Sequence, residues 1–341
     1  MEKARYAWLD YARLMSLMLI VLLHAQPRML VFIVGILAVF FGCSGCLCHA
    51  GEYDSFWAYF KHRLRPVAVP YFAFYALFYA LWLVAQRRIG SADAAAPWWQ
   101  PLWECLMGQP KAYSLLVLAP FWFITCLLSM QLIYYWVLQL VGRRWALAAS
   151  VALSAVAALC PGTEHLNFWN INYAMLYMPF YALGHTMCGS VERGVRIGWI
   201  RALALTMAGV AIMVWAAQAV PQADWRSLLL TLGGMCMIMP IAWLATKAAS
   251  RFGRRSVVTF FAANGITCLA LQNYCIGALR IALHKLSPQV DAQSWPASLA
   301  IAAITLAIVG AAAWLIARYA PWVLGRKAIV KDSNNPHNSK L

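Results

Sequence analysis

Residues 8–25 read WLDYARLMSLMLIVLLHA, an apolar run of membrane-spanning character that nevertheless carries Asp10, Arg13 and His24. In an α-helix each residue turns the chain by about 100° and rises about 1.5 Å. Arg13 and His24 then differ by only about 20° around the axis, with Asp10 within about 60°, so the three share one face. Along the axis Arg13 and His24 are about 16 Å apart. A charged side chain in hydrocarbon costs roughly 2.5–3.5 kcal/mol or more, so such residues usually face a cavity or a partner. The plainer reading is that Asp10 and Arg13 snorkel to the interface or pair with each other, and that His24 is a packing residue. The run begins after a charged segment bearing Tyr and Trp and shows no cleavage site, so the first span is expected to be retained.

The rest of the chain has the same character. Of its 341 residues 63% are hydrophobic and only 11% charged, against a usual 45–50% and about a quarter. This excludes an ordinary soluble globule. Apolar runs separated by polar breaks predict ten spans, near 9–26, 28–49, 66–86, 115–141, 145–160, 172–191, 198–219, 227–248, 257–283 and 297–323. The fold class expected is therefore all-α, a polytopic membrane protein of about ten transmembrane helices with one domain over residues 1–330. Residues 331–341 read as a disordered tail. The net charge of +16 is carried by short segments between spans, which argues for topology and against nucleic acid. Lys and Arg concentrate at the termini and around 50–65, 142–144, 192–197 and 249–256, so the positive-inside rule puts those segments and both termini in the cytoplasm. Segment 87–114, with Trp98, Trp99 and Trp103, is expected to lie in the outer interface. The cysteines mostly fall within apolar runs and read as small hydrophobes, and no metal is expected.

The ordered motifs resemble those of the acyltransferase-3 family of integral membrane acyltransferases, in particular its polysaccharide O-acetylase and fucose-4-O-acetylase-like branch. Arg13 followed after ten residues by His24 is similar to the family's opening Arg-x10-His signature. Phe40-Phe41-Gly42-Cys43-Ser44-Gly45 resembles its FFxxSG element, and Phe60-Lys61-His62-Arg63-Leu64-Arg65 with Pro70-Tyr71 its basic turn into the third span. Phe121-Trp122-Phe123, Pro179-Phe180-Tyr181-Ala182-Leu183-Gly184 and Asn264 to Asn273 resemble three later elements in the same order. His62 stands where the family usually has the first Arg of an Arg-x-x-Arg pair, and Gln272 where many members have a second histidine.

The resemblance implies transfer of an acetyl group from acetyl-CoA, as co-substrate, to a hydroxyl of an envelope or exported glycan, such as a polysaccharide or lipid-linked sugar. It implies residence in the bacterial inner membrane among lipids, and glycan synthesis or export machinery as partners. The residue chemistry agrees. Coenzyme A phosphates need cationic donors, and Lys61, Arg63 and Arg65 offer them at the mouth of the third span, where they serve equally as topology signals. Tyr71 and His185 are further candidates along the donor's path, His185 being equally suited to packing. A sugar hydroxyl needs a base, and neutral His24 can accept its proton, with direct acylation of His24 as the other route. Arg13, Tyr71 or the pair Gln272 and Asn273 can stabilise the oxyanion, and Asp10 completes the polar stripe. Glu164 and His165 in an outer loop, with Trp122, suit a carbohydrate acceptor. Ser44 and Gly45 read first as packing residues. A carrier moving a glycan or small solute through the same cavity is the competing class; the absence of an inverted repeat and the Arg13–His24 stripe speak for the enzyme.

Overall fold

The computed structural model describes residues 7–86, 97–109, 119–160, 162, 165, 168–192, 197–221, 224–249 and 255–326. Twelve α-helices and no strand occur among the described residues: α1 (Ala7–Ala25), α2 (Ile33–Cys46), α3 (Phe56–Leu81), α4 (Trp99–Met107), α5 (Trp122–Leu159), α6 (Ile171–Leu176), α7 (Met178–Glu192), α8 (Trp199–Ala219), α9 (Asp224–Ala249), α10 (Arg255–Ala263), α11 (Gly265–Leu286) and α12 (Trp295–Tyr319). In hydrocarbon every backbone N–H and C=O must be satisfied within the protein, which is why apolar segments of this length become helices. Eight of the described helical stretches are long and apolar enough to cross a membrane. The chain is a multi-pass all-α membrane protein, and the tail beyond 326 lies outside the described residues.

The spans differ from expectation at four places, one of them the run expected at 257–283, which is divided at Asn264 into α10 and α11. The runs expected at 115–141 and 145–160 are continuous as α5, 38 residues long, roughly twice what a 30 Å core needs. At Gly142 (φ 70, ψ 171) the backbone leaves the helical region, so α5 is two arms meeting at a residue without a Cβ to oppose the turn. The run expected at 172–191 is divided into α6 and α7 at Tyr177, and neither piece alone is long enough to be counted as a span. Finally, α3 begins ten residues earlier than the expected 66. Ser55 caps it by accepting from the Ala58 N–H at 3.3 Å, and Pro66 and Pro70 lie inside the helix. The basic stretch Lys61–Arg65 is therefore helix rather than turn.

The inner helices are α1 and α2. α1 packs against α2, α9, α10, α11 and α12, so its polar residues are held among protein rather than lipid. α2 packs against α7, α9 and α1. Its approach to α7 is backbone to backbone: a Cβ on Gly45 would run into the Tyr181 carbonyl, and one on Gly184 into Gly42. Beside this crossing the Gln131 amide donates to Ser44 Oγ at 2.9 Å, tying α5 to α2. Ser44 and Gly45 are packing residues here, as their size suggests.

The helices share two ends. At the basic end Arg63 donates to the Leu47 carbonyl at 3.2 Å, Trp8 meets Trp243 edge to face with centroids 6.2 Å apart, and Arg326 donates to the Ala263 carbonyl at 2.7 Å. At the opposite end Gln26 donates to the Gln293 carbonyl at 2.9 Å and Arg280 bonds the end of α1. Short α4 exposes Trp99 and Trp103 and turns Cys105 inward, as expected of a helix lying in the interface.

Candidate active site

Three places hold polar groups that a membrane protein has no structural need to bury. The first is the end of α1. His24 is half-buried, and its Nδ1 lies 2.8 Å from the Ile20 carbonyl one turn back. A carbonyl only accepts, so Nδ1 carries the proton, and in the neutral ring Nε2 is left with its lone pair outward. The imidazole is thus held by its own helix in the tautomer a general base requires. Arg280 of α11 bonds the backbone here, its Nη2 donating to the carbonyls of His24 (3.2 Å) and Ala25 (3.0 Å). These are carbonyls that a helix C-terminus leaves without an intrahelical partner. In sequence, Arg280 stands out only as a lone cation inside the apolar stretch Gly277–His284.

The second place is the other end of the same stripe. Asp10 is buried, and Arg13 comes within hydrogen-bonding reach of the Cys43 thiol on α2, with Asp10 and Cys188 also close to that sulfur. Cys188 in turn lines the third place, a pocket of about 390 Å³ at the basic end. Its walls include His49, Glu52, Gln139, Arg143 and His185. His49 Nδ1 pairs with Glu52 at 3.0 Å, and Tyr134 Oη lies 2.8 Å from His185 Nδ1. Burial pushes the Cys48 thiol in this wall above its ordinary value, with Arg63 and Arg143 pulling it back, so at neutral pH it is not a thiolate. Arg143 was read from sequence only as a topology charge. Its place in the pocket follows from the turn at Gly142, which no local pattern announces.

The remaining candidates are distributed as follows. Arg63 is half-buried under the pocket's rim, its guanidinium 5.3 Å from the Tyr59 ring, while Lys61 and Arg65 are exposed on α3. Tyr71 belongs elsewhere: it is buried, its hydroxyl donates to the Cys105 carbonyl at 2.9 Å, and it packs on Phe121 and Trp169. Gln272 is fully enclosed in α11, four residues inward along the helix from Ile276 and eight from Arg280, and both atoms of its amide lack a partner among the described residues. Neighbouring Asn273 is half-buried. Trp122 sits with Tyr173 at the start of α5, and its carbonyl accepts from Asn170 at 3.3 Å. His165 is exposed, and Glu164 lies outside the described residues. The structure thus brings His185 to the pocket and Arg13 behind it, sets His24 apart at the far end of α1, and engages Tyr71 in joining α3 to α4.

The described residues thus form an all-helical membrane body with polar groups buried at several places within it. A family model described as an acyltransferase domain matches residues 6–316, and the chain belongs to that acyltransferase-3 family. It is a membrane acyltransferase. Comparison with curated proteins and with solved structures gave no match.

Proposed function

We propose that the protein is an O-acetyltransferase that moves acetyl from acetyl-CoA to a hydroxyl of an envelope or exported glycan, with His24 as general base. The observation that carries this reading is the bond from His24 Nδ1 to the Ile20 carbonyl, which leaves Nε2 free to take a hydroxyl proton. Coenzyme A enters at the basic end, where Arg143 and His185 line the pocket, Arg63 donates to the Leu47 carbonyl beside it, and Lys61 and Arg65 add exposed charge on α3. Phosphates meet those cations, and the pantetheine arm passes Arg13 toward His24. Extended, that arm is on the order of 15–20 Å, comparable with the roughly 16 Å of helix between Arg13 and His24. Gln272, whose enclosed amide has no partner among the described residues, is assigned to this path, whereas the Tyr71 hydroxyl is bonded to Cys105. Asp10 steadies Arg13 in this account, and His165, Glu164 and Trp122 meet the sugar at the outer side. The setting is a bacterial inner membrane, with glycan synthesis or export machinery handling the acceptor.

The deciding experiment supplies membranes with acetyl-labelled CoA and assays the glycan fraction for alkali-labile acetyl esters. Labelled glycan is expected; transport of glycan without ester formation would instead indicate a carrier. Two further outcomes follow from the same reading. Arg63→Ala, Arg65→Ala and Arg143→Ala each raise the KM for acetyl-CoA about tenfold or more, the scale of one lost charge-assisted contact, with smaller effects on acceptor dependence. A change in acceptor dependence alone would remove these residues from the donor site. Second, with donor and base at opposite ends of α1, the acetyl group crosses most of the roughly 30 Å core. Labelled acetyl-CoA added to sealed inside-out vesicles should leave acetylated acceptor in the lumen, and right-side-out vesicles should yield none until permeabilised. Product confined to the CoA side would defeat the crossing while leaving His24 as base.

A further inference from the structure

We infer that Arg280 is a catalytic residue: the donor that stabilises the oxyanion formed beside His24. The inference rests on the reading of His24 as base. Its ground is the unequal use of the guanidinium. Nη2 spends both of its N–H groups on the carbonyls of His24 and Ala25, which fixes the cation against the backbone of the base itself. Nε is buried without a partner, Nη1 holds no hydrogen bond, and no carboxylate pairs with the group among the described residues. An arginine has five N–H groups in a rigid fork, so fixing one nitrogen leaves the other donors aimed rather than mobile. Arginine is an ordinary cap for the last carbonyls of a helix, but that role here uses Nη2 alone and leaves the other N–H groups for a second partner. The other candidates are further away or spent: Arg13 is about 16 Å down α1, Gln272 and Asn273 lie about 10–12 Å down α11 from Arg280, and the Tyr71 hydroxyl is bonded to Cys105.

The step assigned to it balances as follows. The acceptor oxygen forms a bond to the thioester carbonyl carbon while its O–H bond breaks and the proton passes to His24 Nε2. The carbonyl π electrons move onto oxygen, and that oxyanion accepts from the N–H groups of Arg280 Nη1. On collapse the C–S bond breaks, the thiolate leaves, and the proton on Nε2 returns to sulfur. The products are an ester and a thiol, with no net proton gained or lost. A donor held fixed where negative charge appears acts on the transition state more than on bound substrate, so it changes turnover more than affinity.

The test uses full-length protein in its native membranes, which supply the acceptor, with acetyl-labelled CoA as the probe. Arg280→Ala should lower maximal turnover about 10²–10³-fold, the range for loss of one oxyanion donor, while the KM for acetyl-CoA stays within about threefold. Arg280→Lys should recover at least about tenfold over Arg280→Ala, since an ammonium restores a cationic donor. Added guanidinium at tens of millimolar should raise Arg280→Ala turnover several-fold and leave His24→Ala unchanged. Membrane yield and monodispersity in mild detergent report folding for every variant. Turnover above about a fifth of wild type in folded Arg280→Ala would overturn the inference. So would a loss that neither lysine nor guanidinium relieves, which would mark a cap on α1 only. An inactive His24→Ala beside a fully active Arg280→Ala would sink this inference and spare the base; a fully active His24→Ala would sink the base.

Discussion

His24→Ala is expected to lower acetyl transfer about 10²–10⁴-fold, the usual contribution of a positioned acid–base group, or about 3–5 kcal/mol of barrier. The protein should still reach the membrane in wild-type amount, because the one hydrogen bond of the imidazole is to the Ile20 carbonyl of its own helix. That carbonyl also accepts the helical N–H one turn on, so its loss of a second donor is mild. The helix end keeps its clamp as well, since Arg280 bonds backbone carbonyls that alanine retains. His24→Gln is the sharper control: its amide can still donate toward Ile20, yet it cannot take a proton, so it should be as inactive as alanine. Labelled acetyl-CoA without acceptor, quenched early, should leave the protein unlabelled. An acetylated His24 under those conditions would assign it as nucleophile rather than base. Wild-type transfer by well-folded His24→Ala would remove the central assignment altogether.

The second large effect falls on folding. Gly45→Ala places a methyl where the Tyr181 carbonyl stands, with the His185 amide nitrogen close behind. Both obstacles are backbone, so no rotamer change relieves them and α2 must move away from α7. Overpacking costs typically about 1–3 kcal/mol, and a rigid backbone puts this site at the upper end or beyond. At roughly 2–4 °C per kcal/mol, Gly45→Ala should melt up to about 10 °C below wild type, and Gly45→Val should not be recovered folded from mild detergent. The same displacement separates Cys46 from the Gly184 carbonyl, now 3.0 Å from its sulfur, and shifts His185 in the pocket wall. Residual Gly45→Ala protein should therefore use acetyl-CoA poorly. Melting within about 2 °C of wild type would mean that the two helices are not in backbone contact.

The spans were legible because a membrane helix satisfies its backbone internally, so each announces itself by local composition. That is why α1, α8, α9 and α12 fall close to their expected limits, and why the polar stripe of α1 could be placed on one face before any partner was known. The breaks were not legible in the same way. Gly142 lies between two apolar runs that were expected as two helices and are continuous across it, whereas the division at Tyr177 does have a local signal in Pro179, which fits the first turn of a new helix but not the interior of one. The start of α3 was hidden because Lys61, Arg63 and Arg65 suggest a solvent turn, whereas Ser55 and the apolar residues interleaved with them extend the helix back to Phe56.

What the amino-acid order determined by itself, then, was a polytopic all-helical membrane protein with Arg13 and His24 on one face of α1, both legible from composition and periodicity over a few residues. That it is an acyltransferase came from the ordered motifs and the family they match, not from periodicity. The tertiary structure decided which groups share a space. Arg280 meets the His24 carbonyl across 256 positions of chain, Asn170 reaches Gly108 across 62, and the Tyr71 hydroxyl reaches the Cys105 carbonyl across 34. Such pairs depend on which helix faces pack together, and that is settled by the close approach of small residues and the filling of the core over the whole bundle, not by any stretch of sequence alone.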